Sequence, residues 1–198
     1  MLRILCLSGP SRSGKSTLAR RLSETLKLPY LKFPPSIKHG MKLDDPQIDV
    51  SSRLICDCIE EVAMHFDFVL DRAWPDNIVY GRLFNRHIDE SYYFSRMASL
   101  GERLHVIYVT ADQEALLSRM SEHDKKSSVY TAIAENVLLQ LKIWNDVVSL
   151  MKQVGIKVYT IDNSKSIDDA YSDLCDKLSK VMFDLTNRSQ KSLYIPGI

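Results

Sequence analysis

An α/β fold, a five-stranded parallel sheet with helices on both faces, is what this sequence predicts, and three features predict it. Five short apolar segments alternate with stretches of helical period. A glycine-rich turn, "SGPSRSGKST" at residues 8–17, joins the first apolar segment to the first helical one. The polar residues richest in chemistry follow the first, second and third strands, at the carboxyl ends where such sheets hold ligands. At 198 residues the chain is most simply one domain, residues 1–198, long enough to bury a sizeable core.

The elements run in order. Residues 2–8 are apolar and stop at a glycine, which suits a buried strand. From Ser16 on, Leu18, Leu22 and Leu26 keep helical spacing until Pro29 stops the helix. Residues 29–33 form a second strand, closed by Pro34-Pro35. Asp45-Pro46 reads as a cap with proline at the first helical position, and the helix that follows places Ile48, Ile55, Ile59 and Val62 on its apolar face. Residues 66–71 are a third strand ending in an acid. Asp76 is placed to cap a helix carrying Ile78, Val79, Leu83 and Phe84, and an aromatic-rich segment covers 92–100. Residues 103–110 are a fourth strand, followed by a short helix over about 112–120. Residues 121–130 have no apolar periodicity. A long helix through Ile133, Val137, Leu141, Trp144, Val148 and Met151 ends at Gly155. Residues 156–161 are the fifth strand, and "SIDD" at 166–169 has capping-box spacing at the start of the last helix.

Composition narrows the function. The formal net charge is +1, so no global field recruits nucleic acid or an anionic membrane. The apolar start is too short to span a bilayer, and glycine and charge follow it too soon for a secretory signal. The four cysteines lack metal spacing and read as reduced thiols of a cytoplasmic protein. The five histidines are scattered, with no adjacent nucleophile.

Gly9, Gly14, Lys15 and Ser16 satisfy G-x-x-x-x-G-K-[ST] between a strand and a helix. Backbone N–H groups of such a loop, Gly9-Pro10-Ser11-Arg12-Ser13-Gly14, converge on phosphate at the positive end of the helix. In this pattern Lys15 neutralises the β- and γ-phosphates of ATP, Thr17 completes the loop, and Ser16 and Asp71 hold Mg²⁺. Arg72 follows Asp71 directly, and a guanidinium suits a second phosphate.

The segment "DRAWPDNIVYG" at residues 71–81 resembles the thymidylate kinase signature, with Asp76 and Tyr80 in its small polar and aromatic places. "YLKFPPS" at 30–36 resembles the family's Arg-Phe-Pro segment with Lys32 for the arginine, and "TIDNSKSIDDAYSDL" at 160–174 resembles its adenine-side loop. The resemblance reaches to about residue 183 and leaves a tail over 184–198. It implies a nucleoside monophosphate kinase that uses ATP and Mg²⁺, acts on dTMP first, and pairs as a homodimer through helices flanking the sheet. It also implies residue roles. Arg12 is the built-in cation for the group in transit, and Lys15 and Asp71 complete the catalytic set. Arg119, Asn163 and Lys165 join the loop in binding ATP, while Phe33, Arg53, Arg72, Asp76 and Tyr80 bind the acceptor. Residues 121–130, with Lys125 and Lys126, are the lid.

The match departs from the family at the acceptor. Ser11 stands where a sugar-binding aspartate is usual, Ser36 where an arginine meets the acceptor phosphate, with Lys38 near. Asp49 stands where a phenylalanine stacks on the base, so either Phe33 or Trp74 supplies the aromatic face or the acceptor base differs from thymine. Two other readings stay open: a kinase for a hydroxyl on a nucleoside or polynucleotide end, and an ATP-binding regulatory switch without catalysis.

Overall fold

The structure is a computed structural model that describes residues 2–33, 44–119 and 136–192, with side chains to residue 187. Five strands, β1 (Ile4–Ser8), β2 (Tyr30–Lys32), β3 (Phe68–Asp71), β4 (Leu104–Thr110) and β5 (Lys157–Asp162), form one sheet in the order β2-β3-β1-β4-β5. Every neighbouring pair is parallel. The α/β architecture expected from the alternating segments is therefore present. β1 lies between β3 and β4, so its C-terminal loop sits where the strand order reverses, the place an open parallel sheet offers a ligand.

The helices are α1 (Lys15–Leu26), α2 (Gln47–Val62), α3 (Trp74–Leu83), α4 (Glu90–Leu100), α5 (Gln113–Ser118), α6 (Val137–Gln153) and α7 (Ile167–Ser192). Side chains alternate across the sheet as the two-residue period of a strand requires. Ile4, Cys6, Phe68, Leu70, Leu104, Val106 and Tyr108 face a core shared with α2, α3, α4 and α6, centred on the fully buried Trp74 and Trp144. Leu5, Leu7, Val69, Ile107, Val109 and Ile161 face the opposite core, packed against α1 and α7. The buried strands are nearly continuous apolar runs because both faces are covered. Among the described residues no helix is long and apolar enough to cross a membrane.

Four local expectations need correction. Val62 does not lie on the buried face of α2; it is exposed, and the buried arc runs through Ile48, Asp49, Ser52, Cys56 and Ile59. At about 100° per residue these five share one stripe with the neighbouring Ala63, while Val62 falls on its flank. The stripe was misplaced because two of its members are polar. Asp76 is not the N-cap residue of α3, which starts two residues earlier at Trp74 with Pro75 in its first turn; it caps from the third helical position, its carboxylate accepting from the Ala73 N–H at 3.4 Å. Phe66 lies outside β3 and is exposed. The last helix continues to Ser192 rather than giving way to a tail near 184, because Val181 and Leu185 still pack on the core and Asp184 pairs with Arg3 at 2.7 Å. Residues 121–130, with Lys125 and Lys126, and Ser36, Lys38 and Ile133 lie outside the described residues.

At the amino end of the sheet, opposite the phosphate loop, Arg3 ties three elements together. Its guanidinium donates to His105 Nε2 at 3.1 Å and to Asp184 at 2.7 Å, and His105 Nδ1 lies 3.3 Å from the Tyr159 hydroxyl. An arginine can only donate, so His105 is the neutral Nδ1–H tautomer. Burial, and then the charges of Arg3 and Lys157 against the weaker pull of Glu102, lower its pKa from 6.5 to about 4. The unfolded chain takes up this proton below pH 6.5 and the folded chain resists it. The contribution is therefore fully present above pH 6.5 and lost as pH falls toward 4, on the order of 3 kcal/mol in all. Thermal melts between pH 7 and 4 are expected to fall more steeply for the protein than for His105→Gln; parallel curves would remove His105 from the account.

Candidate functional site

The site starts where β1 runs out. Gly9 has φ 154° and lies so close to β4 that a Cβ there would collide with the Val109 carbonyl oxygen. The loop then turns on a Ser13 N–H to Pro10 carbonyl bond of 3.3 Å and reaches Gly14 at φ 87°. A side chain at Gly14 would strike the Asn163 amide, and that amide donates to the Ser13 carbonyl at 2.8 Å. Asn163 is itself pinned by its N–H to the Thr110 carbonyl at 2.8 Å. The loop after β5 thus braces the loop after β1. Arg12 sits between them at φ 66°, an arrangement that costs a non-glycine residue on the order of 1 kcal/mol or more.

α1 opens at Lys15, so its first-turn N–H groups and its dipole point at the loop. The Lys15 ammonium donates to the Pro10 carbonyl at 2.9 Å, spanning the turn. After β3 the chain again turns through the left-handed region, with Arg72 at φ 70° and its N–H on the Leu7 carbonyl at 2.9 Å. The Arg72 guanidinium stands 3.6 Å from Asp76 and 5.6 Å from the centre of the Tyr80 ring, whose hydroxyl is 3.3 Å from that of Ser11. Arg119, at the end of α5, donates to the Asn163 carbonyl at 2.6 Å and to the Arg12 carbonyl at 3.5 Å.

These pieces enclose a cavity of about 380 Å³. Among the described residues five cations line it, Arg12, Lys15, Lys32, Arg72 and Arg119, together with Ser11, Gly14, Ser16 and Thr17, and no carboxylate does. Burial, and next the Arg72 charge, lower the Lys15 pKa from 10.5 to about 7, against the pull of Asp76 and Asp71. Burial works against the Arg72 charge too, but Tyr80, Asp76 and Asp71 outweigh it and keep the guanidinium charged. Asp76 is buried enough for its pKa to rise despite Arg72 and Lys15. The sign of this lining suits a polyanion.

Asp71 is fully buried at the end of β3. One of its oxygens accepts from the Tyr30 hydroxyl at 2.7 Å, and the other has no hydrogen-bond partner among the described residues. Among those residues no group of three His, Cys, Asp or Glu side chains could hold a metal ion alone. The donor set of Ser16 and Asp71 nonetheless fits Mg²⁺, which takes one or two protein oxygens and completes its shell with phosphate oxygens and water.

The structure brings together most residues expected to meet ATP: the loop from Gly9 to Thr17, Arg119 and Asn163, with Lys165 exposed on the Asn163 loop. Of the expected acceptor residues it places Arg72, Asp76 and Tyr80 around one edge of the cavity. It does not bring Phe33 or Arg53 to the cavity wall. Phe33 packs into the core while its N–H extends the β2–β3 pairing onto the Asp71 carbonyl, and Trp74 is fully buried, so neither offers an open aromatic face. Arg53 bonds Asp49 through Nε and Nη2 at 2.8 and 2.7 Å, faces Asp89 at 3.7 Å and lies over the Tyr92 ring at 5.0 Å. Asp49, in the place of a stacking phenylalanine, also accepts from the Tyr93 hydroxyl at 2.7 Å.

Sequence reasoning missed Tyr30 and Lys32 as a pair. They share one face of β2 by the two-residue period, and one reaches Asp71 while the other lines the cavity.

No family model and no curated protein matches the sequence. Solved structures do resemble the chain. One is YorR from Bacillus subtilis in complex with phosphorylated GDP, at 20% identity and TM-score 0.64, covering 89% of this chain and 95% of that one. Another is a thymidylate kinase from Candida albicans, at 18% identity and TM-score 0.60 over 90% and 92% of the two chains. A third is a gluconokinase from Sinorhizobium meliloti 1021, at 16% identity and TM-score 0.61 over 94% and 97%. The chain has the fold of the P-loop kinases.

The lowered Lys15 pKa has a measurable consequence. A bound polyanion favours the charged lysine, so binding above pH 7 takes up a proton and affinity falls with rising pH, by up to about tenfold per unit. Calorimetry of ATP binding at pH 8 in buffers of different ionisation enthalpy is expected to show proton uptake that Lys15→Met abolishes. Equal heats after buffer correction in both proteins would contradict the charge balance described.

Proposed function

We propose that the protein transfers the γ-phosphoryl group of ATP to the phosphate of a nucleoside monophosphate, with dTMP the leading acceptor and dTDP the product. The observation that carries the reading is Arg72: it arrives from β3, a different strand from the phosphate loop, yet lines the same cavity as Lys15 and Arg12. One phosphate chain needs the loop, its lysine and the helix start. A second cationic wall opposite them supports a second phosphate.

In this reading the loop N–H groups and Lys15 hold the β- and γ-phosphates, and Arg119 with Asn163 sets the adenine side. Arg72, kept charged by Asp76 and Tyr80, holds the acceptor phosphate in line. An acceptor oxygen attacks the γ-phosphorus, and the bond to the β–γ bridging oxygen breaks to leave ADP. The acceptor is already anionic, so no strong base is required. Negative charge spreads over the equatorial oxygens of the migrating group, and Arg12 neutralises it. Ser16 and Asp71 would hold Mg²⁺, which draws charge from the β- and γ-phosphate oxygens when bound. Catalysis is positioning and electrostatics. The thymidylate kinase among the similar structures supports the acceptor class, and the signature at residues 71–81 supports thymine ahead of other bases.

One observation favours a second reading. The unpartnered oxygen of Asp71 is what a hydroxyl acceptor would need as a base, and a gluconokinase is among the similar structures.

An acceptor panel separates the two. ADP formation from ATP should rise with nucleoside monophosphates, dTMP above ribonucleotides, and stay at background with nucleosides, sugars or DNA ends. Arg12→Ala should lower kcat by about 10³-fold with ATP affinity nearly kept. Arg72→Ala should raise the acceptor KM and spare the ATP KM. Turnover that follows a hydroxyl acceptor, or an Arg72→Ala defect confined to ATP, would overturn the proposal.

A further inference from the structure

We infer that Tyr30 is a positioning residue for Asp71: its hydroxyl takes one carboxylate oxygen and so reserves the other for the metal-bearing phosphate ligand. The inference rests on the phosphoryl-transfer reading above and extends it to a residue outside the cavity wall.

The geometry is specific. Asp71 is fully buried, and a buried carboxylate needs partners for both oxygens. Tyr30 supplies one bond, 2.7 Å to Oδ2, while Oδ1 has none among the described residues. A carboxylate turns in a broad two-fold well about its last torsion. Without a fixed donor its two oxygens exchange freely, and neither is committed. The tyrosine breaks that symmetry.

Tyr30 is held well enough to do so. It sits on β2 in register with Val69, its ring packs against the core on the α1 side, and the Arg20 guanidinium lies 5.7 Å from the ring centre. Two residues on, Lys32 is in register with Asp71 and faces the cavity. β2 thus places one donor on the carboxylate and one cation on the ligand side. A partner of this kind typically changes metal affinity or activity by about 10–100-fold when removed.

Tyr30→Phe deletes the donor and keeps the ring. The test is Mn²⁺ binding, followed by its electron paramagnetic resonance signal, to the protein saturated with the non-hydrolysable ATP analogue AMP-PNP. Tyr30→Phe is expected to weaken Mn²⁺ by about tenfold or more, with metal-free AMP-PNP affinity and the melting temperature nearly unchanged. Asp71→Asn is expected to weaken it at least as much, and the double variant no further than Asp71→Asn alone. Unchanged Mn²⁺ affinity in Tyr30→Phe beside a loss in Asp71→Asn would overturn the role of Tyr30 and leave the phosphoryl-transfer reading intact. Additive losses in the double variant would do the same, because Tyr30 would then act without Asp71. A native protein that binds neither AMP-PNP nor its Mn²⁺ complex would overturn the phosphoryl-transfer reading itself.

Discussion

Five basic side chains face one cavity on whose wall no carboxylate lies among the described residues, and the fold holds them there against their mutual repulsion. The tension is visible in Lys15, whose proton affinity drops because burial and Arg72 act together. The compensating acids, Asp71 and Asp76, are buried off the wall. They temper the field from behind the wall, Asp71 keeping one oxygen without a hydrogen-bond partner among the described residues. A polyanion is the partner that relieves this arrangement, and two anionic groups relieve it better than one.

The sheet is what keeps the cations in place. Each loop at its carboxyl end leans on the end of the next strand. The chain leaving β2 bonds the Asp71 carbonyl, the chain leaving β3 bonds the Leu7 carbonyl, and the chain leaving β5 bonds the Thr110 carbonyl. Gly9 presses on the Val109 carbonyl from β1. Arg119 and Asn163 then close the ring onto the phosphate loop. Backbone strain collects at two of the five cations, Arg12 and Arg72, both at positive φ. These two are the cations assigned to the group in transit and to the acceptor, where placement of a charge matters most.

The sheet was legible in the sequence because its strands are buried on both faces and its turns carry glycine and proline. The phosphate loop was legible for a steric reason: Gly9 and Gly14 are fixed by a carbonyl and an amide that leave no room for a side chain. The face of α2 was harder to read. Asp49 and Ser52 lie on its buried stripe, and apolar periodicity skips polar residues that are buried because they are hydrogen-bonded. The aromatic faces expected of Phe33 and Trp74 failed for the converse reason, since an aromatic side chain beside a site is claimed by the core when the core is nearer. Tyr30 opens the quoted segment at 30–36, but nothing in that segment points to Asp71. The role of Tyr30 depends on a contact 41 positions away in the chain, which only the pairing of β2 with β3 creates.

The most direct test is a crystal structure of the protein with ADP, Mg²⁺, dTMP and aluminium fluoride. The account predicts a planar fluoroaluminate bridging the ADP β-phosphate and the dTMP phosphate, with Lys15 and Arg12 on its equator and Arg72 hydrogen-bonded to the dTMP phosphate. A complex in which ADP fills the phosphate loop while dTMP binds away from Arg72, or does not bind, would contradict it.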